Sequence, residues 1–197
     1  MEFWHPVEHE EPLSLEVLKR YPHGLDLGPM RPSFPGYLFT PDQRLRLTPM
    51  ELVVDLGRAM AELRGDDNRE LMLIGRRDLR TNNSWMHNSQ RLVKGNNRCA
   101  LLINPTDADR LGLSTGKQAR IMSRTGELMV QVEVTEDIMP GVVCLPHGWG
   151  HDREGVELRV AQSNPGISVN DITDDQVVDV LSGNAVLNGI PVSVVAA

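Results

Sequence analysis

Between Ile74 and Asn88 the chain reads IGRRDLRTNNSWMHN, with three arginines, three asparagines, a histidine and a tryptophan in fifteen residues. Arginine presents forked N–H donors that match phosphate oxygens, while Asn and Ser reach sugar hydroxyls or the edge of a base. Such a loop at a strand end is suited to cradling phosphates. Its plain alternative is a solvated surface loop, because Asn and Ser also satisfy backbone groups. Against that alternative, six basic residues face one acid, Asp78, between Ile74 and Arg98. Trp85 has equal claim to stacking on a flat ring and to filling core.

Two further stretches carry polar groups at close spacing. In LPHGWGHD, His147 and His151 stand four apart, a zinc spacing on a helix. Gly148 and Gly150 argue against a helix there, and no third ligand is near. The better reading is a glycine loop whose bare backbone approaches a ligand, with His147 and Trp149 at its rim; a tight turn anchored by a packed Trp149 is the plain one. In SVNDITDD, Asn170, Asp171 and Asp175 offer carboxamide and carboxylate acceptors suited to the N–H edge of a guanine or pterin. Asn184 and Asn188 sit beside glycines and read equally well as turn residues. No nucleophile and base are spaced like a hydrolase elbow, so no catalytic residue is assigned. No metal ligand is assigned either. Cys99 and Cys144 lie in apolar runs and read as buried thiols, without the C-x-x-C spacing of a zinc or iron–sulfur site.

The rest of the chain must position these groups. Its 197 residues are 40% hydrophobic and 24% charged, a globular composition, and its net charge of −7 argues against general nucleic-acid binding. No apolar run is long enough to span a membrane, and the start MEFWHPVEHEE is unlike a leader, so a cytoplasmic location is expected.

Residues 1–47 read as an irregular Pro- and Gly-rich arm whose Leu25, Leu27, Phe34, Tyr37, Leu38 and Phe39 need a surface to lie on. Residues 48–70 read as a helix and a loop. Thr48 is its cap, Pro49 its first position and Glu51 closes a capping box, with Leu52, Val53, Leu56, Ala59, Met60 and Leu63 on one face and a stop at Gly65. From residue 71 onward short strands alternate with tight turns: LMLIG, CALLI, QARIMS, LMVQVEVT, VVCLP and GIPVSVV. Among them lies one short helix, capped by Asn104 and stopped at Gly112. This pattern predicts a mainly β fold with short helices, closed into a barrel.

Taken in order, GRRDLRTNNSWMHN, INPTDADRLGLSTGKQARIMSRTGE, VEVTEDIMPGVVCLPHGWGH, VNDITDD and SGNAVLNGIPVSV resemble the C-terminal dinucleotide-binding domain of molybdopterin oxidoreductases. These are the bis-molybdopterin guanine dinucleotide enzymes, of the formate dehydrogenase and biotin sulfoxide reductase type. Each piece alone is weak, but the ordered set is specific. The resemblance runs from Leu71 to Ala197. It implies a double-psi β-barrel over residues 71–197 that clasps molybdopterin guanine dinucleotide, with molybdenum or tungsten bound through it. By position, the resemblance puts Arg76, Arg80, Asn82, Asn83, Ser84, Trp85 and His87 on the first cofactor loop. His147, Gly148 and Trp149 fall on the second, with Asn170 and Asp171 on the third.

The family's upstream Cys, selenocysteine or Ser ligand to the metal has no counterpart in this sequence, and Val180 stands where relatives often have proline. The resemblance therefore implies a cofactor-binding fragment, or a separately encoded piece, not catalytic alone. It would work with the remaining domains or subunits of a parent oxidoreductase and would lack the cofactor when isolated. The other reading is a double-psi barrel acting as a protein-interaction or adaptor module, which would have no need of the Arg–Asn loop. A stand-alone enzyme ranks third.

Overall fold

The computed structural model describes residues 13–29, 32, 34, 36–63 and 71–197. The acidic N-terminal stretch, the loop RGDDNRE and the helix stop at Gly65 lie outside the described residues. The chain divides into two compact units, residues 1–56 and 57–197.

In the first unit, α1 (Leu15–Lys19) starts at Ser14, whose hydroxyl accepts from the Val17 amide. The segment between α1 and the next helix contains no strand among its described residues. The helix predicted from Pro49 is α2 (Met50–Leu63), which begins in the first unit and continues in the second. No described residue of the arm or of α2 is buried. Phe39 is 89% exposed and Leu63 81%, so the apolar face foreseen for this region faces outward.

Six strands close into a barrel: β1 (Leu71–Arg76), β2 (Ala100–Ile103), β3 (Gln118–Met122), β4 (Glu127–Val134), β5 (Val142–Pro146) and β6 (Ile190–Ala196). Their order around the barrel is β1-β5-β2-β4-β3-β6. The pairs β1–β5 and β2–β4 are parallel, and the remaining neighbours are antiparallel. Advancing each strand by three places, so that β1 becomes β4 and β2 becomes β5, maps this pairing scheme onto itself. The two halves of the barrel thus interlock about a pseudo-twofold relation, the double-psi arrangement that the resemblance implies.

The alternating strands turn one face inward. Leu73, Leu101, Ile103, Ile121, Leu145, Val143 and Val132 fill the core, with Ile172 plugging it from outside the sheet. Truncating one of the large members to Ala costs about 2–5 kcal/mol.

Short helices cap the barrel ends. In α4 (Pro105–Leu111) the Asn104 carboxamide accepts from the Thr106 amide at 2.9 Å, and Gly112 closes the helix in the left-handed region. Asp107 in its first turn is buried and accepts from the Gly141 amide at 2.6 Å, fixing the Pro–Gly turn that launches β5. Two four-residue helices without a signal in the sequence pattern, α3 (Gln90–Val93) and α5 (Arg159–Gln162), and a 3-10 turn at Val169–Ile172 lie in the connections.

Candidate functional site

Because β1 and β5 run parallel and side by side, with Arg76 opposite Pro146, the loops that follow them leave from one rim of the barrel. Sequence separation between the first two candidate stretches therefore vanishes in space.

The first loop, residues 77–89, is organised by its one acid. The Asp78 carboxylate accepts from the Arg80 amide at 2.8 Å and pairs with Arg98 at 2.9 Å. Asn82 and Asn83 then adopt left-handed backbone angles, φ 42° and 62°, which Asn tolerates better than most residues. The tight turn pushes its side chains outward: Trp85 is 84% exposed, Arg80, Asn82 and Asn83 are exposed, and Ser84 is half-buried. Trp85 fills no core in this chain.

Two predicted members of this loop point elsewhere. Arg76 donates to the carbonyls of Ala100, Cys144 and Arg98 at 3.1–3.2 Å, tying the end of β1 to the start of β2 and to the middle of β5. His87 is 1% exposed and turned into the protein.

The second loop meets the first directly. The His147 amide donates to the Arg76 carbonyl at 3.1 Å. Gly148 has φ +86°, and a Cβ there would stand 2.4 Å from the Asn83 carbonyl oxygen, so only glycine fits. Beneath this contact, Trp149 is buried and meets the His87 ring edge-to-face, centroids 4.4 Å apart. His151 Nε2 lies 2.7 Å from His87 Nδ1. Burial pushes both imidazole pKa values down, and for His87 the neighbouring His151 adds to the effect. Of the two histidines spaced four apart, His151 is thus engaged by His87.

The third stretch is linked to the second through backbone. Gly150 and His151 amides donate to the Pro165 carbonyl at 2.8 and 3.2 Å. In the following 3-10 turn, Val169 and Ile172 are buried while Asn170 and Asp171 face out. Arg153 donates to both oxygens of Asp171. The β3–β4 hairpin tip holds the turn from the other side. Gly126 packs so closely that a Cβ would lie 2.6 Å from the Asp171 carbonyl oxygen, and Thr125 Oγ1 donates to the Thr173 carbonyl. Arg124 makes a forked pair with Asp174 at 2.5 Å, which holds that carboxyl below its usual range. Asp175 stays exposed.

Residues 71–191 match the family model described as "Molydopterin dinucleotide binding domain". The chain belongs to this family. Over 109 residues it is 31% identical to the matched polypeptide of tetrathionate reductase from Salmonella typhimurium, covering 47% of the chain and 11% of that protein. Probable oxidoreductase YoaE of Bacillus subtilis is 26% identical over 162 residues, 81% of the chain and 22% of that protein. Dimethyl sulfoxide reductase DmsA of Escherichia coli is 30% identical over 93 residues, 47% of the chain and 11% of that protein. Across these three curated relatives the chain spans 11% to 22% of their length. Acetylene hydratase from Pelobacter acetylenicus shares the fold, with a TM-score of 0.55 and 21% identity over 78% of this chain and 21% of that one.

The rim of this dinucleotide-binding domain leaves two ring nitrogens unpaired. His147 Nε2 and Trp149 Nε1 are buried atoms without a hydrogen-bond partner among the described residues. An indole N–H only donates, and burying it unpaired costs about 1–3 kcal/mol. An acceptor supplied from outside the chain at the second loop would relieve that cost. The ligand would be anionic where it meets the exposed Arg77, Arg80, Arg91 and Lys94.

One feature of the surface carries no signal in the sequence. A cleft of about 850 Å³ opens between Asn88–Lys94 and Glu157–Asn164. Asn88 Oδ1 ties its walls together by accepting from the Val160 amide at 2.9 Å. Lys94 belonged to the basic island, but nothing in the sequence marked Arg159, which approaches it only through the fold. Among the described residues no helix is long and apolar enough to cross a membrane.

Proposed function

We propose that the chain is the cofactor-clasping C-terminal domain of a molybdenum or tungsten oxidoreductase and holds molybdopterin guanine dinucleotide at the β1–β5 rim. The observation that carries this is the meeting of the two loops at Gly148 and Asn83, which puts exposed Arg80, Asn82 and Trp85 and half-buried Ser84 near the unpartnered ring nitrogens of His147 and Trp149. Arg80 and its basic neighbours would face pyrophosphate, and Trp85 would stack on a flat ring. Asn170 and Asp171 would meet the N–H edge of pterin or guanine, with Arg153 yielding its hold on Asp171. Arg76 and His87, both turned inward, serve as supports of the loop and not as its ligand-facing groups.

When bound, the metal held by the pterin supplies the oxidation–reduction chemistry, and the domain contributes placement and hydrogen bonds. The ligand residue to the metal would come from another part of the parent enzyme. The exposed apolar side chains of α2 and of the arm, Leu52, Leu56, Tyr37 and Phe39 among them, would dock against that remainder.

Titrating the purified chain with guanosine diphosphate and with pyrophosphate, while recording amide NMR shifts, tests the reading. Shifts should concentrate at Arg77–Asn88 and His147–Gly150. Silence there, with shifts on another face, would reject it.

A further inference from the structure

His87 and His151 are buried on different loops, and their facing nitrogens, 2.7 Å apart, share one proton. Each ring also lies near a backbone carbonyl, that of Asn83 for His87 and that of Gly148 for His151. A neutral pair carries two N–H groups. One lies in the shared bond, leaving one for the two outer nitrogens. His87 Nε2 makes no hydrogen bond. A proton on His87 Nε2 would meet no acceptor, so the order that fits leaves Nε2 bare, with His87 Nδ1–H donating to His151 Nε2 and the remaining proton on His151 Nδ1. A third proton would charge the pair. Asp78 and Asp152 favour it, while burial and Arg98 oppose it. The Trp149 ring closes one side of His87 and offers no acceptor nitrogen.

The bond thus joins the residue that follows the Asn82–Met86 turn to the loop carrying Gly148. We propose that His151 is a positioning residue for the cofactor loop: through its bond to His87, in the neutral form of the pair, it fixes the Asn82–Met86 turn against Gly148. This rests on the reading that the turn holds the dinucleotide, but its first readout does not. The Met86 amide donates to the Thr81 carbonyl at 3.0 Å and so closes that turn; its hydrogen exchange reports whether the turn is held.

His151→Phe keeps a ring and removes the bond, whereas His151→Gln returns an amide group near the Nε2 position without a titrating proton. In H151F, Met86 exchange should quicken about tenfold and guanosine diphosphate should bind about tenfold more weakly, the scale of one lost buried hydrogen bond. H151Q should restore both and remove the loss of Met86 protection, measured against the intrinsic exchange rate, that the unaltered chain shows as pH falls through the lowered folded pKa values of the pair. Unchanged exchange in H151F, or H151Q behaving like H151F, overturns the proposal. Side-chain ¹⁵N shifts of the unaltered chain give a second arm that needs no variant. A bare His87 Nε2 near neutral pH supports the pair as drawn, and protons on both outer nitrogens overturn it. An exchange response in H151F supports the pair even if guanosine diphosphate fails to bind the unaltered chain, a result that would sink the functional reading alone.

Discussion

The loops after β1 and β5 leave adjacent parallel strands at the same rim, yet they are built in opposite ways. The first turns its chemistry outward, with Leu79 97% and Trp85 84% exposed. The second turns inward: Trp149 and His151 are each 9% exposed, and Gly148 is pressed onto the backbone of Asn83. One loop presents groups and the other fixes where they stand. A site built this way separates ligand contact from loop placement, so the two should respond differently to substitution.

Hollowing out the second loop should have the largest effect. Trp149→Ala removes a buried indole that packs on His87, and should cost about 3–5 kcal/mol in urea unfolding. Gly148→Ala should follow at about 3 kcal/mol, because the new methyl meets the Asn83 backbone and the residue must keep a positive φ. It should also shift the amides of Asn82–Ser84, since the clash is with that loop. If G148A proves as stable as the parent, the loops are not in contact and the shared rim is lost.

The next effect depends on pH. The folded-state pKa of both His87 and His151 is lowered, so the unfolded chain binds more protons than the folded one below about pH 6.5. Their contribution to stability is therefore complete above that value and is lost as pH falls from there toward the folded pKa values. Unfolding midpoints from pH 5 to 8 should show this slope, and H151Q should flatten part of it. A flat profile in the unaltered chain would mean that the pair is solvated.

Much of the barrel was legible. Alternation over LMVQVEVT, the Pro–Gly turn before VVCLP, and the Asn104 to Gly112 punctuation each depend on neighbours in sequence, and each became β4, β5 or α4. The six strand-like runs all pair in the barrel. The pseudo-twofold order was not legible, because backbone pairing repeats between the halves while each side chain need only be apolar. The helices α3 and α5 span only four residues each, too short for periodicity to show.

At the site, sequence content identified the donor-rich loop but could not say which donors face out. Arg76 and Arg80 look alike in the sequence. Arg76 is the last residue of a strand and finds three carbonyls at the rim, while Arg80, four residues on, has left the strand and is exposed. His87 likewise reads as loop chemistry until the fold brings His151 to it, 64 residues away in sequence.

The smallest expected change in stability is the most informative about function. Trp85→Ala removes a large ring that touches solvent more than protein, so its unfolding free energy should move by less than about 0.5 kcal/mol. If the exposed ring is there to stack on a flat heterocycle, the same variant should bind a free pterin about tenfold more weakly, the lower part of the range for aromatic stacking on a base. Trp149→Ala, compared at a temperature where it remains folded, should lose stability and binding together. The contrast between the two tryptophans therefore separates presentation from placement. A W85A chain that is strongly destabilised would put that ring in the frame after all, and one that is stable and binds pterin undiminished would leave the outward-facing loop without its principal flat contact.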